Sequence, residues 1–304
     1  MSYNSAITIG KFDGFHLGHQ VLLQDISARA ESDGIKAVCC KLRFPGSNIM
    51  STEEEVLFLK HNFPNIDRIE YIDFTPEFAA MSPEEFVKEY LIKKLSATYV
   101  VVGTDFRFGK NRSGDTETLK NLGEKYGFKV RVCDKLQVDG SVVSSSRVRE
   151  TLETGNMEMV QKLLGYSYKL EGKVGSGKKL GRTLGFPTIN LAYEQDKLLP
   201  AFGVYASIVK IGQNSDGSEE ALGRSQNDGT RVYKGITNIG IRPSIDDGDK
   251  PTVETFIYDF NEDIYGENVT IIPVHYIRQE QAFGSLDELI KQINKDIEAA
   301  REFT

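Results

Sequence analysis

The chain contains four histidines. Two of them, His16 and His19, close the stretch Ile7-Thr8-Ile9-Gly10-Lys11-Phe12-Asp13-Gly14-Phe15-His16-Leu17-Gly18-His19. The apolar run Ala6 to Ile9 reads as a buried strand, the glycines punctuate a turn, and Val21, Leu22, Ile26 and Ala30 follow at helical spacing. Such a turn brings backbone N–H groups close to a ligand. The helix start adds unpaired donors and the positive end of its dipole, so the segment suits a phosphate. Residues three apart share a helix face, which lets both imidazoles address one point. Without their glycines the same histidines are two surface rings at a turn; Gly10, Gly14 and Gly18 favour the phosphate site.

Three further clusters carry chemistry. In Val143-Ser144-Ser145-Ser146-Arg147-Val148-Arg149-Glu150, Ser145 or Ser146 caps a helix, and its free N–H groups with Arg149 make a second anion site; alone, the run reads as a simple capped helix. In Gly103-Thr104-Asp105-Phe106-Arg107-Phe108-Gly109, the glycines let the loop turn back. Phe106 and Phe108 then offer a stacking face for a planar ring, or equally cover the core. In Gly181-Arg182-Thr183-Leu184-Gly185-Phe186-Pro187-Thr188-Ile189-Asn190, Thr188 and Asn190 are two neutral oxygen donors on one side of a strand. Mg²⁺ prefers oxygen donors together with phosphate; the alternative is a loop with a strand start. Gly172-x-x-x-x-Gly177-Lys178 fails as a Walker A loop, because Lys179 stands where a magnesium-binding hydroxyl belongs and a β-rich segment follows.

Alternating elements are expected to position the first clusters. Helix one spans about His19 to Glu31 and stops at Gly34. Lys36 to Leu42 is a strand. Ser51-x-x-Glu54 is a capping box before the apolar positions Val56, Leu57 and Leu59. Arg68 to Asp73 is a strand, Ser82-Pro83-Glu84-Glu85 opens a helix carrying Phe86, Tyr90, Leu91 and Leu95, and Tyr99 to Val102 is a buried strand. A helix from Asp115 to Tyr126 and a strand from Phe128 to Cys133 follow. This rhythm predicts an α/β, doubly wound, Rossmann-like domain with ligands beyond the carboxyl ends of its strands. After Leu164 short alternating stretches take over, at Val204 to Val209, Thr252 to Tyr258 and Val269 to Val274. They predict a small antiparallel β-barrel, with Gly212 to Gly229 as a long exposed hairpin loop. Leu286, Leu289, Ile290, Ile293, Ile297 and Ala300 form one stripe of a terminal helix expected to pack on the barrel. The expected domains are 1–164 and 165–304.

A length of 304 residues suits two domains, and 39% hydrophobic with 27% charged residues is ordinary for a globular chain. No apolar run approaches the ~18 residues of a membrane span, and Met1 to Ser5 does not read as a signal peptide. A net charge of −7 argues against a nonspecific nucleic-acid binder. Cys39, Cys40 and Cys133 lack zinc-like spacing and read as buried thiols of a reduced, cytoplasmic protein. An oligomer is possible but not predicted.

The histidine segment resembles the HxGH signature of nucleotidyltransferases, in the form found in bifunctional riboflavin kinase/FAD synthetases. Val143 to Glu150 resembles the second signature, Ser-Ser-Thr-x-x-Arg, with Ser146 in place of Thr. The second half resembles a riboflavin kinase domain through the Gly181–Asn190 segment, Phe202-Gly203-Val204-Tyr205, Asn238-Ile239-Gly240-Ile241-Arg242-Pro243, Val253-Glu254-Thr255, Asp259-Phe260 and Asp263-Ile264-Tyr265-Gly266. The family usually carries Phe-x-Pro-x-Pro after its second strand; here Arg43-Phe44-Pro45-Gly46-Ser47 stands instead.

The resemblance implies phosphorylation of riboflavin by MgATP to FMN in the second domain, and adenylylation of FMN by ATP to FAD and pyrophosphate in the first. It implies that His16, His19 and Arg149 stabilise charge on the reacting phosphates, with Gly10, Asp13, Gly14, Gly18, Ser145 and Ser146 around ATP. Thr188 and Asn190 match the pair that binds Mg²⁺ and ATP phosphates. Glu254 matches the general base; taken alone it is an exposed strand glutamate. Gly175 to Arg182, with Gly177 and Gly181, match a phosphate flap, and Arg242 a second flap near the flavin. Asp105, Phe106 and Phe108 fall on the flavin side of the first site. The rivals are a riboflavin kinase whose altered Arg43–Ser47 loop has cost it adenylylation, and a flavin-binding regulator without turnover.

Overall fold

The computed structural model describes residues 4–175, 185–212, 230–241 and 250–304. Chain contacts divide it into two compact units, Met1–Gly46 with Thr52–Ser145, and Ser47–Ser51 with Ser146–Thr304.

The first unit is a five-stranded parallel sheet. Its strands are β1 (Ser5–Gly10), β2 (Lys36–Arg43), β3 (Arg68–Asp73), β4 (Ala97–Gly103) and β5 (Lys129–Cys133), in the order β3-β2-β1-β4-β5. The order reverses at β1, so the crevice beyond the carboxyl ends of β1 and β4 is where such a sheet takes a ligand. Helix α1 (Leu17–Asp33) stops at Gly34, whose φ of 64° fits the left-handed helix end that glycine adopts without strain. Helix α2 spans Thr52–Asn62. Two short helices follow, α3 (Pro76–Ala80) and α4 (Pro83–Phe86). The second starts with the expected capping box of Ser82 and Glu85, then continues through Val87–Lys94 as a π-helix. Helix α5 (Thr116–Tyr126) runs from an Asp115 cap to Gly127. Ile7, Val38, Val100, Val102 and Leu119 belong to the apolar core, together with Phe86 and Leu91.

One expectation fails in α2. Val56 is 47% exposed, while Glu54 and Glu55 are buried with Phe58 and Leu59. The helix is rotated away from its apolar stripe because Glu55 forms an ion pair with the buried Lys41 of β2. A charge pair across two elements thus overrides the local pattern.

After the two-residue strands β6 (Gln137–Val138) and β7 (Ser141–Val142) come helices α6 (Ser145–Glu153) and α7 (Met157–Leu164). The division between the units falls in the first turn of α6. In the second unit α7 lies against the strand Asn268–Arg278, where Glu158 pairs with His275. Six strands close a barrel in the order β10-β11-β12-β9-β8-β13. They are β8 (Leu170–Gly175), β9 (Thr188–Tyr193), β10 (Gly203–Ile211), β11 (Arg231–Ile241), β12 (Pro251–Ile257) and β13 (Asn268–Arg278). All pairings within it are antiparallel. The hairpin loop expected at Gly212 to Gly229 falls, beyond Gly212, outside the described residues.

Helix α8 (Leu286–Ala300) packs on β10, β11 and β13. Ile297 lies against the cluster of Val204, Ile236 and Tyr258. The stripe is not uniformly covered, since Leu286 is 58% exposed. The helix is held at its other end, where buried Asp296 accepts from both Nε and Nη2 of Arg278 on β13, at 2.9 and 2.6 Å. A bidentate pair of this kind fixes orientation as well as contributing energy.

Candidate functional sites

The first site begins where β1 ends. Phe12 and Phe15 are fully buried at φ 46° and 38°, and Gly14 has φ 79°. Positive φ at a bulky residue costs roughly 1–3 kcal/mol. Burying each ring contributes about 2–3 kcal/mol, enough to offset it. The aromatic anchors therefore hold the turn in a course the backbone alone would refuse. Phe15 stacks on Phe58 of α2 at 5.5 Å between centroids, and Phe12 meets the His19 ring edge-on at 4.9 Å.

His16 is the N-cap of α1. Its Nδ1 accepts the His19 backbone N–H at 3.3 Å, which places the proton of the neutral ring on Nε2 and leaves that atom a donor. The His16 and His19 rings stack at 3.6 Å. Burial lowers the pKa of His16 to about 4, and burial with the neighbouring His16 and Lys41 charges holds His19 well below the usual range. Both rings are neutral at pH 7. His19 Nδ1 is buried without a hydrogen-bond partner. A Cβ at Gly18 would lie 3.2 Å from Cε1 of His16, so a glycine leaves room for that ring. Gly10 ends β1 beneath the Phe12 ring. Asp13 is buried, and its carbonyl accepts from Ser145 Oγ at 3.1 Å, bringing the serine run to the histidine loop.

At the neighbouring strand end, Asp105 pairs with Lys135 at 2.9 Å. Phe108 is 7% exposed and packs on Phe86 in the core, with Phe106 stacked on it at 5.4 Å. Of the two rings, Phe106 keeps an accessible part and Phe108 is a support beneath it.

The remaining residues lie in the second unit. Ser146 is exposed on α6. Arg149 Nη2 donates to the Ser47 carbonyl at 2.5 Å. That carbonyl belongs to the segment after β2 whose sequence departs from the family pattern. Asn48 fixes the same segment, its N–H donating to Asp196 O at 2.6 Å and its carbonyl accepting from Leu198 N–H at 2.8 Å.

On the barrel, Asn190 of β9 stands directly opposite Glu254 of β12, and Glu254 opposite Asn238 of β11. Opposed residues share a face of the sheet, so Asn190, Glu254 and Asn238 form one polar row, with Thr188 two residues along. The alternate positions Thr237 and Thr255 are fully buried, their hydroxyls 2.9 Å apart. The polar row therefore faces outward from the barrel, and Glu254 and Asn190 are half-buried there. Thr188 also lines a pocket with Val174, Pro187, Ile189, Glu262 and Tyr265. Gly177, Gly181 and Arg242 lie outside the described residues.

Sequence reading gave no role to two polar features beside these sites. Glu280 accepts from Asn238 Nδ2 at 3.0 Å, and Lys41 pairs with Glu55 behind the histidine loop. Neither has a local signal, because each partner lies on a different element.

Comparison with known proteins matches these two halves separately. A family model described as riboflavin kinase matches residues 164–304, and one described as FAD synthetase matches residues 1–147. The bifunctional riboflavin kinase/FMN adenylyltransferase of Haemophilus influenzae is 31% identical over 98% of this chain and 94% of its own. That of Escherichia coli is 32% identical over 98% of this chain and 92% of its own. A crystal structure described as a macrolide-efflux protein from Streptococcus pneumoniae aligns with a TM-score of 0.83 at 29% identity, covering 99% of this chain and 95% of that one. That description concerns the other protein; among the described residues here, no helix is long and apolar enough to cross a membrane. With both halves matched and full-length relatives above 30% identity, the chain belongs to the bifunctional riboflavin kinase/FMN adenylyltransferase family.

Proposed function

We propose that this chain phosphorylates riboflavin with ATP to FMN on its barrel and adenylylates FMN with a second ATP to FAD on its α/β unit. Riboflavin kinase and FAD synthetase domains are both present, which favours the bifunctional reading over a kinase alone. We set the working boundary between the activities at 164/165.

In the kinase step Glu254 takes the proton of the ribityl 5′-hydroxyl as that oxygen bonds to the γ-phosphorus and ADP leaves. The observation carrying this assignment is the β9–β12 register, which sets Glu254 opposite Asn190. Among the described residues no cluster of three acidic, histidine or cysteine side chains would hold a metal by itself. Two neutral oxygens, Thr188 and Asn190, suit Mg²⁺ that arrives with the triphosphate. Thr188 and Asn190 would hold the ion there, and it would neutralise charge on the phosphate oxygens.

In the adenylyl step an FMN phosphate oxygen bonds to the α-phosphorus of ATP and pyrophosphate leaves. His16 donates from Nε2 to a phosphate oxygen, His19 offers its unpartnered ring nitrogen, and Arg149 supplies fixed positive charge. The Gly10–Gly18 turn with Asp13, Ser145 and Ser146 surrounds the nucleotide. Asp105 and Phe106, with Phe108 beneath, face the flavin. No covalent enzyme intermediate is needed; positioning and electrostatics supply the rate. Three buried free cysteines suit a reducing cytoplasm, and a net charge of −7 suits small-molecule substrates rather than nucleic acid.

The test is an HPLC time course with riboflavin, ATP and Mg²⁺, repeated from FMN. FMN should rise and then yield to FAD, and the second start should give FAD directly. FMN accumulating with no FAD from either start would leave a kinase alone.

A further inference from the structure

Lys41 is 5% exposed and Glu55 1% exposed, and they form an ion pair inside the α/β unit. Tyr71 donates its hydroxyl to the other Glu55 oxygen at 3.3 Å. Removing two charges from water is expensive, and such a pair is weak evidence for stability by itself. Its position is informative. Lys41 is the register partner of Gly10 on one side and of Tyr71 on the other, so Gly10, Lys41 and Tyr71 form one row with a common face. A Cβ on Gly10 would point at the Phe12 ring, 3.4 Å away, which places that ring on the same face as Lys41. Phe12 in turn touches His19. Helix α2 grips this assembly twice from one side, since Glu55 and Phe58 are three residues apart and Phe58 stacks on Phe15.

We propose that Lys41 is a positioning residue of the adenylyl-transfer site, a buried ammonium fixed by Glu55 behind the histidine loop that supplies permanent positive charge for the bound triphosphate. The inference rests on the adenylyl-transfer reading above. A polyphosphate brings several negative charges to the loop, and a cation already desolvated and held in place needs no reorganisation when they arrive. Lys41, and His16 only when it carries a proton, act against a proton on His19, while Asp13 favours one on His16. On the far side of Lys41 stand Glu55 and Tyr71, the latter also influenced by Cys39 and Arg43. In this setting the Lys41 charge disfavours a proton on His19.

Replacing one partner leaves a buried charge unpaired and risks the fold, so the test uses paired changes. Lys41→Met/Glu55→Met removes both charges at similar volume. Lys41→Glu/Glu55→Lys keeps the ion pair and reverses it. The amide NMR dispersion of β1 to β5 and the urea midpoint report that the α/β unit of each variant is folded, and riboflavin phosphorylation reports the barrel unit. Both variants should retain phosphorylation and lose tenfold or more in kcat/KM for ATP in FAD formation from FMN. The His19 pKa, read by NMR of ¹⁵N-labelled imidazoles, should move up in both. Unchanged FAD formation in the Met pair would overturn the proposal, as would full recovery in the reversed pair, which is what a purely structural ion pair predicts. If the unmodified chain makes no FAD from FMN, the adenylyl-transfer reading itself falls, and the outcomes are separable.

Discussion

The histidine loop of the α/β unit and the polar row of the barrel both present oxygen and nitrogen donors for phosphates, yet they are held by opposite means. In the loop, two buried phenylalanines at positive φ force the backbone into its turn, His19 lies against Phe12, and His16 stacks on His19. On the barrel the backbone is ordinary antiparallel strand, and the ladder register aligns Asn190, Glu254 and Asn238. A strained loop depends on residues that touch no substrate. A ladder site depends on register, since a one-residue slip would turn every side chain to the other face. The first is therefore sensitive to its supports, the second to its individual side chains.

The widest separation should come from the two residues with the sharpest roles. Glu254→Ala should lower riboflavin phosphorylation by about 10²- to 10⁴-fold, the usual worth of a general base, while FAD formation from supplied FMN survives. His19→Ala should do the reverse. Loss of both activities in either folded variant would break the two-site division. Next in size, Asp296→Ala leaves Arg278 without its bidentate partner and should cost about 3–5 kcal/mol, seen as a lower urea midpoint; a change below 1 kcal/mol would mean that α8 is held by apolar contact alone.

The loop also predicts a pH effect that the barrel row does not. The pKa of His16 is lowered to about 4 by burial, whereas the unfolded ring titrates near 6.5. The unfolded chain takes the proton first as pH falls. The stability contributed by the neutral ring is complete above about pH 6.5 and is lost by pH 4, about 3 kcal/mol in all. Urea midpoints measured between pH 7 and 4.5 should show the decline, to which the buried His19 adds in the same direction, and His16→Asn should reduce its slope without abolishing it; an unchanged slope would place the His16 ring in water. Smallest is Leu286→Ser, expected within about 0.5 kcal/mol because the side chain is already exposed. A larger loss would show that this end of the α8 stripe is covered in solution.

Much of this was legible locally. The Asp115 and Ser82 caps and the stops at Gly34 and Gly127 are set by φ preferences and by side-chain oxygens within a few residues. Strand–helix alternation gave the parallel sheet, and short alternating stretches gave the barrel. The apolar pattern misled in α2, because the cost of burying Glu55 is offset by Lys41, which no local window contains. Phe106 and Phe108 read as equal partners, yet packing on Phe86 sends one into the core.

By itself the sequence determined which residue types stand where, the two element rhythms, and the backbone turns that glycine and capping side chains dictate. These depend on sterics and hydrogen bonds over a handful of residues. Only the tertiary structure decided that Glu254 faces Asn190 on the outside of the barrel, that Ser145 reaches the Asp13 carbonyl, and that Lys41 lies buried beside Gly10. Each joins segments far apart in the chain, and strand pairing and burial, which act through space, alone fix such partners.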